Sequence, residues 1–280
     1  MMKLLRSEFR RLFKNKLFWL GIAVMLGLGI WATVARYYDS TRLVGMGYDT
    51  PDGLLFIAAM YFPVVVAVFD SLFIGTEFAD GTVRNKIIVG KERTAVYLID
   101  FTITTVGLLL MYLTYAVTVL GLSSFLLKPF ETPIKVLSIF FFCSLVTVMA
   151  LNAIFLMICM LIQNKATSAA VCMLVALALL MGGMTVLQML SAPETLTGPV
   201  SIINGVPVQA EPRPNPKYLT GFKREFFQFL NDFLPVGQML TFGGSEQLPE
   251  RIWILPIYSA ILTLLCTVTG ILGFRRRNLK

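Results

Sequence analysis

The 280-residue chain has no histidine and only four cysteines. Without histidine there is no Ser–His or Cys–His nucleophile pair, no His-based zinc site and no HExxH protease helix. Cys143, Cys159, Cys172 and Cys266 each lie inside an apolar run, the setting of a small buried hydrophobe, so no disulfide framework is expected. Charge is scarce as well. Only 14% of residues are charged, against about 25% in a soluble domain. No basic soluble domain is left to hold a duplex, which excludes a nucleic-acid partner. A phosphate-cradling GxxxxGK[ST] loop is also missing. The Gly90-Lys91 pair is followed by Glu92, and Asn85 stands where the first glycine of that loop is required.

What is present is oil: 56% of residues are hydrophobic. A spanning helix needs about 20 apolar residues. Six stretches meet that need, at 17–35, 54–75, 95–122, 134–162, 167–190 and 252–274. The first is long enough to span and no small-residue cleavage site follows it, so it reads as a retained helix rather than a cleaved signal. The expected fold class is all-α: a polytopic membrane protein of six transmembrane helices. An even number of spans places both termini on one side. Basic residues choose the side. With the termini inside, fifteen of the 24 Lys and Arg residues face inward against four acids, namely Glu8, Glu77, Asp80 and Glu92. The outer segments carry nine bases and ten acids, among them Asp39, Asp49 and Asp52. The expected location is therefore the cell membrane, with both termini cytoplasmic.

Residues 1–16, "MMKLLRSEFRRLFKNK", put Leu5, Phe9, Leu12 and Phe13 on one helical face and Arg6, Arg10 and Lys14 on another. This pattern predicts an amphipathic helix in the inner leaflet, against membrane lipids. Residues 191–251 form the one long outer segment. It opens with Pro- and Gly-bearing, loop-like sequence. It continues as "FKREFFQFLNDFLPVGQML", in which Phe222, Phe226, Phe229, Leu230 and Phe233 share a face. That predicts a short amphipathic helix lying on the outer leaflet or dipping into it before the last span.

Residues 76–94, "TEFADGTVRNKIIVGKERT", interrupt two apolar runs with charges of both signs. Thr82 can cap a short helix that Gly90 ends. Val83 and Ile87 form its apolar edge, and Arg84, Asn85 and Lys86 its polar remainder. Two readings of this segment stand: a lever gripped by a partner, or a loop whose bases sit near anionic headgroups. The stretch resembles the cytoplasmic loop between spans two and three of ABC-2 type ABC transporter permeases. It is most similar to the six-span permeases of bacitracin and lantibiotic export or immunity systems. Glu77, Gly81-Thr82, Arg84-Asn85-Lys86 and Gly90 carry the likeness, and "LNDFLPVGQ" at 230–238 resembles the segment before the last span of that group.

The resemblance implies one transmembrane domain over residues 1–280, and a coupling helix at about 82–89 that docks on a separate ABC ATPase subunit. ATP and Mg would be bound by that partner, and this chain would hold no cofactor and be no enzyme. It also implies two permease and two ATPase copies per transporter. The ATPase-coupling residues expected are Glu77, Gly81, Thr82, Val83, Arg84, Asn85, Lys86 and Ile87.

Two carboxylates, Asp70 and Asp100, fall inside spans two and three towards the cytoplasmic end. Each needs a partner or a proton there. Arg84 or Lys86 suits Asp70, and Arg93 suits Asp100. Asn152 and Gln188 either face a central cavity or make ordinary interhelical hydrogen bonds. The pairs Ala23/Gly27 and Ala178/Gly182 have small-xxx-small spacing, for a dimer seam or for packing within one subunit. A channel would want charge rings or a filter, neither of which is evident. A membrane enzyme would want clustered catalytic groups, and the two aspartates stand alone. The leading reading is the permease of an ATP-driven exporter of an amphipathic peptide, antibiotic or lipid-like cargo. A passive channel and a drug or sodium exporter of the same family are the alternatives.

Overall fold

The structure, a computed structural model, describes residues 2–42, 50–196, 200–203, 206–209, 213–244, 248–249 and 251–277. Asp49 and Lys280, which enter the charge count above, lie outside them. Among the described residues, six helices are long and apolar enough to cross a membrane. They are α2 (Lys16–Arg42), α3 (Phe62–Ala79, preceded by the 3-10 turn Leu54–Met60), α5 (Arg93–Leu126), α6 (Ile134–Leu161), α7 (Lys165–Leu190) and α10 (Ile254–Arg276). Each overlaps one of the expected spans, so the chain is an all-α polytopic membrane protein. Helices suit this setting because they satisfy their own backbone groups where no water can. Four shorter helices accompany them among the described residues: α1 (Met2–Lys14), α4 (Thr82–Ile88), α8 (Gly221–Phe233) and α9 (Pro235–Gly244).

Local chemistry sets the breaks. Asn15 ends α1, and its Oδ1 accepts from Leu17 N–H at 2.8 Å to start α2. Asn164 caps α7 by accepting from the N–H groups of Ala166 and Thr167 at 3.0 and 3.1 Å. The cap of α4 is Gly81, in the left-handed region at φ 66°, and Thr82 is the first helical residue. The expected Thr82 cap is therefore corrected by one position, because only a residue free to take that backbone turns α3 sharply into α4. Asp39, expected in a loop, lies on α2, which runs on to Arg42.

α3, α5 and α6 form the centre and are more than half buried, whereas α2, α7 and α10 are mostly exposed along their apolar lengths. α2 lies along α5, α7 along α3, and α10 along α6. α1, α4, the α6–α7 turn and the C-terminal end of α10 share one end, here the base. The crown carries the 3-10 turn, α8, α9 and two short antiparallel ladders, β1 (Thr195–Leu196) with β4 (Arg213–Pro214) and β2 (Val200–Ile203) with β3 (Val206–Gln209).

Between α7 and α10 the chain forms the short amphipathic helix that its Phe pattern predicts. α8 leaves Phe222, Phe226 and Phe229 exposed, and sets Phe229 and Phe233 against Tyr258 of α10 at 5.7 and 5.9 Å. α9 then re-enters the bundle, burying Val236, Gln238, Met239 and Phe242. Phe242 meets Phe56 and Phe140 at 6.2 and 5.3 Å, joining α9, the 3-10 turn and α6. Gly53, at φ 76°, lets the carbonyl of Gly243 come where a Cβ would stand only 2.4 Å away.

Asp52 fastens two crown loops. Its oxygens accept from the backbone N–H groups of Glu131 and Thr132 at 2.9 and 3.0 Å. Burial works against its charge, but hydrogen bonds from Thr132 and Glu131 hold its pKa below the ordinary 3.8. A depressed carboxylate stabilises the fold above its unfolded pKa, and that support is lost as pH falls through the folded value. Asp52→Asn is expected to lower stability at neutral pH by about 1 kcal/mol. The gap from the parent should narrow as pH falls through and below the ordinary carboxylate range. Thermal unfolding in detergent across pH 3–7 reads both.

Candidate functional site

The short helix α4 hangs between two spans at the base. Val83 is buried, Ile87 packs against the core, and Arg84 and Asn85 face out. Ile88 and Val89 are 71% and 78% exposed, an unusual place for an apolar pair. Lys86 departs from the expected polar rim: it points inward and is buried. Its Nζ lies 2.7 Å from Glu77 Oε2 on α3, 3.0 Å from Glu8 Oε1 on α1 and 3.4 Å from Asp100 Oδ1 on α5. Arg11, also on α1, bridges Glu8 at 2.9 Å and pairs with Glu77. Its guanidinium lies 4.1 Å over the Phe73 ring.

Five charges from four helices thus share one buried site, three carboxylates against two cations. Burial opposes the charge on Lys86, but Asp100, Glu77 and Glu8 outweigh it and hold its pKa above that of free lysine. The ammonium stays charged at any physiological pH. Glu8, Glu77 and Asp100 bring ligand oxygens within 4.8 Å of one another, a spacing open to a cation. The Lys86 ammonium is the cation that stands among them.

The structure separates the two intramembrane aspartates. Asp100 joins the cluster through Lys86, not through Arg93 as expected. Arg93 sits two turns nearer the helix end and instead donates from Nη1 to the carbonyls of Phe274, Arg275 and Arg277, capping α10. Asp70 is wholly buried in α3, and neither oxygen has a hydrogen-bond partner among the described residues. The pairing expected with Arg84 or Lys86 does not form: Arg84 faces outward and Lys86 is taken.

Other candidates resolve simply. Asn152 donates to Phe101 O and Thr105 Oγ1 at 3.2 and 2.6 Å, an interhelical tie from α6 to α5. Gln188 is exposed on α7. Ala23 and Ala178 are exposed, and a Cβ added at Gly27 or Gly182 would meet nothing within 4 Å. Neither small-residue pair packs within the described chain.

Sequence reasoning missed Glu8 and Arg11 as members of the cluster. The signal for Glu8 was available: it is the one acid of the first sixteen residues, three after Leu5 and four before Leu12, and so on the apolar face.

A family model described as "ABC-2 family transporter protein" matches residues 4–193, more than half of the chain. No curated protein matches it.

Proposed function

The chain belongs to the ABC-2 transporter family, and from that premise we propose that it is the permease half of an ATP-driven exporter whose ATPase grips α4. It is a membrane component of an ABC transporter. The base, rich in Lys and Arg, faces the cytoplasm, with both termini there, in the cell membrane. Residues 1–280 make one transmembrane domain. Residues 1–16 serve as its interfacial helix, 76–94 as its coupling loop and 191–251 as its extracytoplasmic segment.

One observation carries this reading. The helix that presents Ile88 and Val89 outward presents Lys86 inward, to carboxylates on α1, α3 and α5. A partner that moves α4 therefore pulls on three other helices through one ammonium. Among the coupling residues, Ile88-Val89 with Arg84 and Asn85 form the docking edge. Gly81 and Thr82 form the turn, and Val83, Ile87, Lys86 and Glu77 transmit the movement. ATP and Mg reside on the partner, since this chain has no phosphate loop.

Two permease copies meet through α2 and α7, whose small-residue faces are unpacked within the chain. The cargo is an amphipathic peptide, antibiotic or lipid-like molecule, as in the bacitracin and lantibiotic group. The exposed Phe222, Phe226 and Phe229 at the crown suit release beside a membrane.

The test is co-expression with each ABC ATPase subunit of the same genome that lacks a membrane domain of its own. One such pair should co-purify, and ATP hydrolysis should rise with the permease present. Ile88→Asp combined with Val89→Asp should cut recovery of the complex at least tenfold. Both side chains are exposed, so the unfolding midpoint should not move. Undiminished complex and energised translocation in that variant would defeat the proposal.

A further inference from the structure

α2 carries a groove that the coupling through α4 does not use. It runs up one face of the helix, past Gly27, Trp31, Val34 and Tyr38 to Asp39 and Arg42, and has a volume of about 590 Å³. Clefts that hold small ligands measure about 300–1,000 Å³. From Lys16 to Arg42 the helix rises about 39 Å, close to the ~40–45 Å of a bilayer with its headgroups. The last turn of α2 therefore stands at headgroup level on the crown side. The groove itself, from Gly27 to Arg42, rises about 22 Å. Half of the hydrocarbon slab is about 15 Å, so the groove covers one leaflet, acyl chains and headgroup level together.

Its lower wall is apolar and its upper end is charged. Trp31 and Tyr38 are each 57% exposed, and such rings favour the membrane–water boundary. A Cβ added at Gly27 would meet nothing within 4 Å, which leaves the lower end open. Asp39 and Arg42 lie one turn apart and carry opposite charges. Both are exposed, and neither makes an ion pair among the described residues. The Arg42 guanidinium lies 5.7 Å over the Tyr38 ring.

The charges select the occupant. The same face of a second copy, brought up about an axis along the membrane normal, would set Asp39 near Asp39 and Arg42 near Arg42. α7 of a second copy has no charge beyond Lys165 at its foot with which to answer either group. The contact between copies proposed at α2 thus closes low, at Ala23 and Gly27, and the groove stands above it. An anionic lipid would satisfy Arg42 and be repelled by Asp39. A zwitterion satisfies both. A primary ammonium also brings N–H donors for the Asp39 carboxylate, which a quaternary choline lacks.

We propose that the α2 groove binds one phospholipid of the crown-side leaflet with an ethanolamine headgroup. Arg42 holds the phosphate and Asp39 the ammonium. One acyl chain runs down past Tyr38, Val34 and Trp31 to Gly27.

The test uses the full chain in detergent, stripped of lipid. It is offered equal amounts of phosphatidylethanolamine, phosphatidylcholine and phosphatidylglycerol with the same acyl chains, and native mass spectrometry counts what is retained. One phosphatidylethanolamine per chain is expected, favoured at least fivefold over either competitor. Asp39→Asn should erase the preference over phosphatidylcholine, and Arg42→Gln should lower retention of all three lipids at least fivefold. Both side chains are exposed, so the unfolding midpoint should not move. The acyl chain is placed separately, in a chain carrying Trp19→Phe and Trp253→Phe, where Trp31 is the remaining tryptophan. Phosphatidylethanolamine brominated along its acyl chains should quench Trp31 at a concentration at least fivefold lower than brominated phosphatidylcholine does. Equal retention of the three lipids, or an Asp39→Asn chain as selective as the parent, would overturn the proposal. So would a dimer in which Trp31 is shielded from brominated lipid, because the groove is then a face between two copies.

Discussion

Lys86→Met is expected to lower stability by about 3–5 kcal/mol, the cost of leaving buried charge without its partner. In a chain of this size that lowers the thermal midpoint by roughly 10 °C. The three carboxylates do not suffer alike. Glu8 and Glu77 each keep Arg11. Asp100 pairs only with Lys86 among the described residues, and its Oδ2 has no hydrogen-bond partner there. Asp100 is therefore the group stranded by the substitution. Adding Asp100→Asn to Lys86→Met should recover most of the loss. Adding Glu77→Gln or Glu8→Gln should recover less, because either change also strips Arg11 of a partner. A double-mutant cycle measured by thermal unfolding in detergent separates these cases. Equal recovery from all three, or none, would refute the assignment of Lys86 as the shared cation. On the proposed function, energised transport should fall in Lys86→Met even at temperatures where the chain stays folded, since α4 is then no longer tied to α1 and α5.

The second large effect lies at the crown. Gln238 is fully buried on α9. Its Nε2 donates to the carbonyls of Asp232 and Leu255 at 2.7 and 3.1 Å. Its Oε1 accepts from Thr147 and Ser259 hydroxyls, both at 2.9 Å. One amide thus ties α9 to α6, α8 and α10. Gln238→Ala removes the partner of the Asp232 carbonyl and of the Ser259 hydroxyl, while Leu255 O keeps its place in the α10 ladder and Thr147 its bond to Cys143 O. The expected cost is about 2–4 kcal/mol. Gln238→Glu should cost as much or more, since a carboxylate has no hydrogen to give the carbonyls and brings a charge into the core. Gln188→Ala, on the exposed side of α7, should stay within about 0.5 kcal/mol of the parent. Comparable losses at Gln188 and Gln238 would contradict this account.

The spans were legible because lipid imposes a length and a composition on each helix, and those survive in the linear sequence. The amphipathic start and the Phe face of α8 were legible for a related reason: each repeats on a helical period. The charge partners were not. Arg93 and Asp100 lie two turns apart on one helix, and nothing local says that Arg93 reaches across to the end of α10. Lys86 looked like rim because α4 is only 7 residues long. In so short a helix the inward face is decided by what folds beneath it, here Glu8 of α1. Gln238 carried no local signal either. Its value comes from three other helices converging on one buried turn, and a dip into the bundle looks much like a surface helix when read residue by residue.

α5 has 34 residues and no proline, about 51 Å of unbroken rod. That is well beyond the ~30 Å hydrocarbon slab. Its foot holds Asp100 in the charge cluster, and its upper half holds Tyr115, whose hydroxyl donates to Leu54 O at 2.7 Å. A stiff rod fixed at both places acts as a crank. Swinging it by about 5° about the foot would carry its far tip some 4 Å sideways over that length. The crown end of α5 is thus displaced from below while every hydrogen bond along the shaft stays intact.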